Sequence, residues 1–246
     1  MRAIVCLPTY NECENLEPMI RRLGETLDLD RDGVLVVDDN SPDGTGAIAD
    51  RLATELPWVD VLHRRRKQGI GRAYLAAFPR ALASGASFVL EMDSDFSHNP
   101  AMLPTLIQTC ENGADVALGS RYVAGGGTVN WSPVRQLISM GGSLYARLLL
   151  GVGVRDLTGG FKCFRREVLE AIELPTVRSR GYAFQVELTH RAVRAGFSVV
   201  ELPIVFRDRR AGRSKMSWRI AGEAALLVPQ LRFRRHARIS GQRRGR

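Results

Sequence analysis

A mostly parallel α/β sheet flanked by helices is the fold class that this sequence predicts, and three observations predict it. Short runs of β-branched and aliphatic residues, such as Val34-Leu35-Val36-Val37 and Phe88-Val89-Leu90-Glu91-Met92, read as buried strands. Amphipathic helical stretches separate these runs, as right-handed crossovers between parallel strands require. Acidic clusters follow two of the runs: Asp38-Asp39-Asn40-Ser41-Pro42-Asp43-Gly44-Thr45 and Asp93-Ser94-Asp95. Open α/β sheets bind ligands outside the carboxyl ends of their strands, so carboxylates there are placed for a site rather than for the core.

The elements follow in order. Residues 3–7 are a strand. Residues 14–27 are helical, with Leu16, Met19, Ile20, Leu23 and Leu27 at helical spacing. A strand at 34–37, a helix at 45–55 and a short strand at 59–62 come next. A helix at 71–83 leads into the strand at 88–92. A helix at 101–111 and a strand at 116–118 complete the alternating part. The three glycines 125–127 read as a flexible loop. Residues 133–150 form an amphipathic helix, with Val134, Leu137, Ile138, Gly141, Leu144, Tyr145, Leu148 and Leu149 on one face. That face either packs on the sheet or meets lipid chains. Helices at 166–172 and 183–195 and a strand at 199–206 finish the body.

Composition sets further bounds. A chain of 246 residues can bury one sizeable α/β core. Cys6, Cys13, Cys110 and Cys163 are scattered, with no Cys-x-x-Cys pair. That spacing argues against a zinc site or a disulfide framework and fits a reducing cytoplasm. The N-terminal apolar run ends at Pro8 and is too short for a signal peptide. No apolar stretch approaches the roughly 18 residues of a membrane span. The formal net charge is +9, and seven arginines in residues 232–246 account for +7, which leaves the body at +2. The expected organisation is therefore one domain over 1–231 and a basic tail over 232–246. Such a tail is either solvated or drawn to a polyanion, whether nucleic acid or an anionic membrane surface.

The motifs at the strand ends suggest a nucleotide site. In Pro8-Thr9-Tyr10-Asn11-Glu12 an aromatic ring can cover a base while a carboxylate accepts from ring or ribose donors. Asp39 ends the second strand and is placed to do the same. Neither a Gly-x-Gly-x-x-Gly loop nor a Walker loop is present to cradle phosphates. The pair Asp93 and Asp95 offers hard oxygen ligands for Mg²⁺ or Mn²⁺ on a substrate diphosphate, with Ser97 two residues on as a further ligand or water contact. His98 beside them is expected to support the turn rather than bind the metal. The basic loop from His63 to Gly71 is either a phosphate contact ahead of a helix or a solvated turn.

Together these motifs resemble the family 2 glycosyltransferases of the GT-A fold. Within that group the chain is similar to the polyprenol (dolichol) phosphate mannose synthases. The narrower likeness rests on Gly119-Ser120-Arg121-Tyr122, Asn130-Trp131, Leu157-Thr158-Gly159-Gly160-Phe161, Gly181-Tyr182-Ala183-Phe184-Gln185 and Gly212-Arg213-Ser214-Lys215-Met216-Ser217. It spans roughly residues 3–220. The resemblance implies that Pro8, Tyr10, Glu12, Val37 and Asp39 hold the guanosine of GDP-mannose. Asp93, Ser94 and Asp95 would meet the metal and diphosphate, with Ser97 as third ligand. Arg121, Arg135, Arg209 and Lys215 would surround the phosphates of donor and acceptor. Of these, Asp95, Arg121, Arg209 and Lys215 would carry the catalytic step. The acceptor implied is a polyprenyl monophosphate in the membrane. A chain without a span would sit peripherally on the cytoplasmic face, on an anionic surface, with room for a separate membrane-anchor protein as partner. Two rivals stand beside this reading. One is a sister enzyme using UDP-glucose or another nucleotide sugar. The other is a non-catalytic nucleic-acid binder, disfavoured because the body is nearly neutral and carries no nucleic-acid module; nucleic acid is not expected as a partner.

Overall fold

The computed structural model describes residues 1–179, 181–208 and 228–232. Nine strands and seven α-helices alternate among the described residues: β1 Ala3–Thr9, α1 Leu16–Gly24, β2 Asp32–Asp38, α2 Thr45–Glu55, β3 Val59–His63, α3 Ile70–Ala83, β4 Phe88–Glu91, α4 Leu103–Glu111, β5 Val116–Ser120, β6 Gly127–Val129, α5 Pro133–Leu150, β7 Lys162–Arg165, α6 Arg166–Ala171, α7 Gly181–Arg194, β8 Val199–Pro203 and β9 Val205–Arg207. The main sheet has seven strands in the order β3-β2-β1-β4-β7-β5-β8. All its pairs are parallel except those of β7, which runs antiparallel to both β4 and β5.

Alternating residues of each strand feed two apolar layers. Val5, Leu7, Val34, Val36 and Leu90 meet α1, α2 and α4 on one face. Ile4, Cys6, Leu35, Val37 and Val89 meet α3, α6 and α7 on the other. Burial of both faces explains why the strands are apolar throughout rather than alternating. Gly71 is required by close packing: a Cβ there would lie 2.8 Å from the Phe184 ring, where α3 crosses α7.

The expected helices at 45–55 and 133–150 are observed with those bounds. Three features depart from expectation. β7 was not anticipated, because Lys162-Cys163-Phe164-Arg165 carries charge at both ends of a four-residue run. The strand expected over 199–206 divides at Ile204, so β8 stays in the main sheet while β9 leaves to pair with β6. The glycine loop at 125–127 is shorter than expected, since Gly127 already belongs to β6.

Helix α5 leaves most of its apolar face uncovered by the sheet. Only Ser143 and Ala146 are buried, whereas Leu137 and Leu148 are 72% and 70% exposed. Ser143 and Ala146 face the body, and Leu149 and Leu150 pack against a small apolar cluster, whereas Val134, Leu137, Met140, Leu144 and Leu148 face outward. No helix among the described residues is long and apolar enough to cross a membrane. Of the basic tail only Arg232 is described; it ends a short helical segment and donates from Nη1 to the carbonyl of Leu149, at the C-terminal end of α5.

Candidate active site

The sheet order reverses direction between β1 and β4, and a cavity of about 320 Å³ opens at that switch point. Pro8, Thr9, Tyr10 and Glu12 line it from the end of β1, Asp39 from β2 and Asp93, Ser94 and Asp95 from β4. Arg121, Trp131, Arg135, Thr158, Gly160, Gln185 and Phe206 close the far side. The strand order thus lays the β1–β2 residues on one side of the acidic turn and the β5–β7 residues on the other.

The β1 side is built by turns that only certain residues allow. Asn11 and Asn40 adopt left-handed conformations, φ 57° and 59°, which asparagine tolerates better than most residues. The backbone N–H groups of Asn11 and Glu12 donate to Ser41 Oγ at 3.1 Å and Thr45 Oγ1 at 2.9 Å, locking the β1 turn to the β2 turn. Asn15 Nδ2 holds the Glu12 carboxylate at 2.8 Å. Asp38, first of the acidic pair, is turned inward: it accepts from the Ser41 N–H and hydroxyl at 3.1 and 2.5 Å and is a turn former. Asp39 lines the cavity, but its carboxylate already receives Arg64 and the Gln68 N–H. Lys67 from the same basic loop lies 3.7 Å over the Tyr10 ring and lines the cavity beside Gly69. The loop is therefore part of the site.

The β4 turn is strained and tightly supported. Phe96 takes φ 61°, an unusual conformation for a bulky side chain. The Ser97 N–H donates to Asp95 Oδ1 at 3.1 Å. His98 is fully buried, stacked on Phe161 at 4.8 Å, and its Nδ1 accepts from the Asp93 N–H at 3.2 Å. Burial pushes the His98 pKa down to about 4, so the ring is neutral with its proton on Nε2. His98 supports the turn, as expected. Between β4 and β7, Lys162 Nζ lies 3.8 Å from Glu91 Oε2 and donates to the side chain of Gln185. Burial lifts Glu91 to about 7 and lowers Lys162 to about 8, each moderated by the other's charge.

Nine of the expected site residues line the cavity: Pro8, Tyr10, Glu12, Asp39, Asp93, Ser94, Asp95, Arg121 and Arg135. Val37 does not; its side chain lies in the core. Ser97 does not line it either, and its buried hydroxyl has no hydrogen-bond partner among the described residues. Arg209 and Lys215 lie outside the described residues. Among the described residues no cluster of three His, Cys, Asp or Glu side chains is arranged to hold a metal. Two carboxylates at a cavity wall nevertheless suit a small divalent cation that takes its other ligands from water and substrate phosphates.

The two arginines of the far side are countercharged rather than bare. Arg121 forms a bidentate pair with the buried Asp156 at 2.7 and 2.6 Å. Arg135 bonds Asp208 at 3.0 Å and stacks 4.0 Å over Trp131. Trp131, Thr158, Gly160 and Gln185 were not expected as site residues, although each falls within a motif that carries the resemblance. Asp156, which precedes the Leu157-Thr158-Gly159-Gly160 run, gave no separate signal.

Comparison with known proteins matches this architecture. Polyprenol monophosphomannose synthase of Mycolicibacterium smegmatis is 49% identical over 230 residues, covering 93% of this chain and 86% of that protein. Undecaprenyl-phosphate mannosyltransferase of Micrococcus luteus is 47% identical over 228 residues, covering 93% of each. The solved structure of mannosyltransferase PcManGT from Pyrobaculum calidifontis, in complex with GDP-Man and Mn²⁺, shares the fold: TM-score 0.61, 19% identity, 90% of this chain and 60% of that one. The sequence model of glycosyl transferase family 2 matches residues 4–173, and this chain belongs to that family.

Proposed function

We propose that this chain is an inverting glycosyltransferase that moves mannose from GDP-mannose to a polyprenyl monophosphate, giving a β-mannosyl phosphoryl polyprenol. The observation that carries the reading is near-half identity, over 93% of the chain, with relatives named for transfer of mannose to polyprenyl phosphates. The same relatives favour it over the nucleic-acid alternative. Two arginines, Arg121 and Arg135, line the far side of the cavity, which supports placing the anionic acceptor there.

In this reading Tyr10, Glu12 and Asp39 hold the nucleoside, and the β4 turn faces the diphosphate. Asp93 and Asp95 would hold Mg²⁺ or Mn²⁺, without the third ligand expected of Ser97, which does not line the cavity, and a bound cation would neutralise charge on the departing nucleoside diphosphate. The acceptor phosphate is an anion near neutral pH and needs no strong general base. The chain's task is to aim that oxygen at the anomeric carbon, which Arg121 and Arg135 do through directed N–H donors. Arg209 and Lys215 would meet the developing charge of the leaving group.

A polyprenyl chain stays in its bilayer, so the enzyme must come to the surface. The exposed apolar face of α5 and the arginine-rich residues 232–246 would both dock on an anionic membrane.

Labelled GDP-mannose incubated with the protein, Mg²⁺ or Mn²⁺ and a polyprenyl phosphate should place label in the organic phase. UDP-glucose in its place should not. Label from UDP-glucose alone would assign the sister activity, and none from either would overturn the reading.

A further inference from the structure

We infer that Asp156 and Thr158 are positioning residues that aim Arg121 at the acceptor phosphate; the inference builds on the phosphate role given to Arg121 above. Asp156 is fully buried and is not part of the cavity wall, so it can act on substrate only through another group. Its Oδ2 accepts from the Arg121 backbone N–H at 2.9 Å and from Nε at 2.7 Å, while Oδ1 accepts from Nη2 at 2.6 Å. One carboxylate therefore fixes both the main chain and the side chain of the same arginine. Asp156 is itself fixed, because Glu201 on β8 accepts from the N–H groups of Arg155 and Asp156 at 2.8 and 2.9 Å.

Thr158 completes the cradle. Arg121 Nη2 also donates to Thr158 Oγ1 at 2.8 Å, and that hydroxyl donates to Asp156 Oδ1 at 3.3 Å. A hydroxyl has one proton, so Ser143 Oγ of α5, at 3.3 Å, is the donor in its contact with Thr158. The rings of Tyr122, Trp131 and Phe206 lie 5.1, 5.5 and 5.6 Å from the guanidinium carbon. An arginine side chain otherwise loses about 2 kcal/mol of rotamer freedom when ordered. Here that ordering precedes substrate binding.

The pairing leads to a result opposite to simple charge counting. If Arg121 served only as positive charge, removing the Asp156 carboxylate would strengthen phosphate binding. If Asp156 aims Arg121, the same change must weaken transfer. We would assay wild type, Asp156→Asn, Thr158→Val and Arg121→Ala, with both substitutions also made in the Arg121→Ala background. The assay uses GDP-mannose and a short-chain polyprenyl phosphate. Asp156→Asn should lower kcat/KM for the acceptor by about 10- to 100-fold, as loss of alignment does. Thr158→Val should lower it several-fold, and the Kd for GDP should stay within about twofold. Neither substitution should cost anything further once Arg121 is alanine. Unchanged or faster transfer by Asp156→Asn, or full additivity with Arg121→Ala, would overturn the inference. Should Asp156→Asn not fold, Thr158→Val decides, since it leaves the buried ion pair in place. Calorimetric binding of the short polyprenyl phosphate to the same proteins separates the two readings. Absence of wild-type transfer rejects the proposed activity. Equal phosphate affinity across wild type and variants rejects the positioning role.

Discussion

The N–H of Asp93 donates to Nδ1 of His98, 3.2 Å away, across a turn whose middle residue, Phe96, is left-handed. One neutral imidazole thus closes the loop that carries both candidate metal carboxylates. His98→Phe should keep the stack on Phe161 but leave the Asp93 N–H without its acceptor. Loss of a buried partner costs about 1–3 kcal/mol. We expect Mn²⁺ affinity in the presence of GDP to fall by about tenfold, as for other groups that orient metal ligands. A Mn²⁺ titration followed by electron paramagnetic resonance checks this, and wild-type affinity would mean that the turn holds itself.

Asp95→Ala should abolish transfer while leaving the melting temperature within about 2 °C of wild type, because turn carboxylates add little to the core. The comparison is a turnover assay with and without EDTA beside a thermal melt. EDTA-resistant turnover by the variant would remove Asp95 from the metal site.

Asp43 organises the start of α2. Its carboxylate accepts from the Thr45 N–H and hydroxyl at 3.1 and 2.6 Å and from the Cys13 N–H at 3.1 Å. Desolvation opposes the charge, but these donors hold the pKa below its usual 3.8, at about 2. The folded chain therefore takes up this proton at lower pH than the unfolded chain. The stabilisation is complete above about pH 4 and fades as pH falls towards 2. Asp43→Ala should cost about 1 kcal/mol at neutral pH, as for loss of a helix cap. Urea melts at pH 7 and pH 3 should show that difference shrinking in acid.

Leu137→Asp and Leu148→Asp should weaken binding to anionic vesicles by at least about tenfold, given roughly 1.5–3 kcal/mol for burying each leucine. Deleting residues 232–246 should weaken it as well and flatten its salt dependence. Transfer to a short, water-soluble acceptor should be unchanged in all three. Vesicle co-sedimentation supplies the comparison, and undiminished binding would assign α5 another partner.

Much of this was legible in the sequence because the signals are local. Runs such as Val34-Leu35-Val36-Val37 have one packing solution, and a turn such as Asp93-Ser94-Asp95 announces its chemistry by residue type. What escaped depends on distant pairing. Nothing local in Lys162-Cys163-Phe164-Arg165 says that a buried lysine meets Glu91 on a neighbouring strand. Nor does Asp156 give a local sign that it pairs with Arg121, thirty-five positions earlier in the chain. The outward face of α5 was likewise undecided, since an apolar stripe looks the same whether it meets a sheet or a lipid.

β4 and β5 share no ladder; each pairs with β7, whose residues come more than forty positions after β5 ends. The first ninety-one residues contain a contiguous half-sheet, β3-β2-β1-β4, whereas β5 has no route to it until the chain returns. Such long-range closure is slow relative to local pairing. We therefore expect the β3-β2-β1-β4 half to gain protection early during refolding, and the β5-β8 half to gain it only with β7. Pulse-labelled hydrogen exchange would test the order through the amides of β1 and β5. The seam of the candidate active-site cavity would then also be the last joint made in building the protein, so on the proposed reading a nascent chain would complete its donor side before its acceptor side.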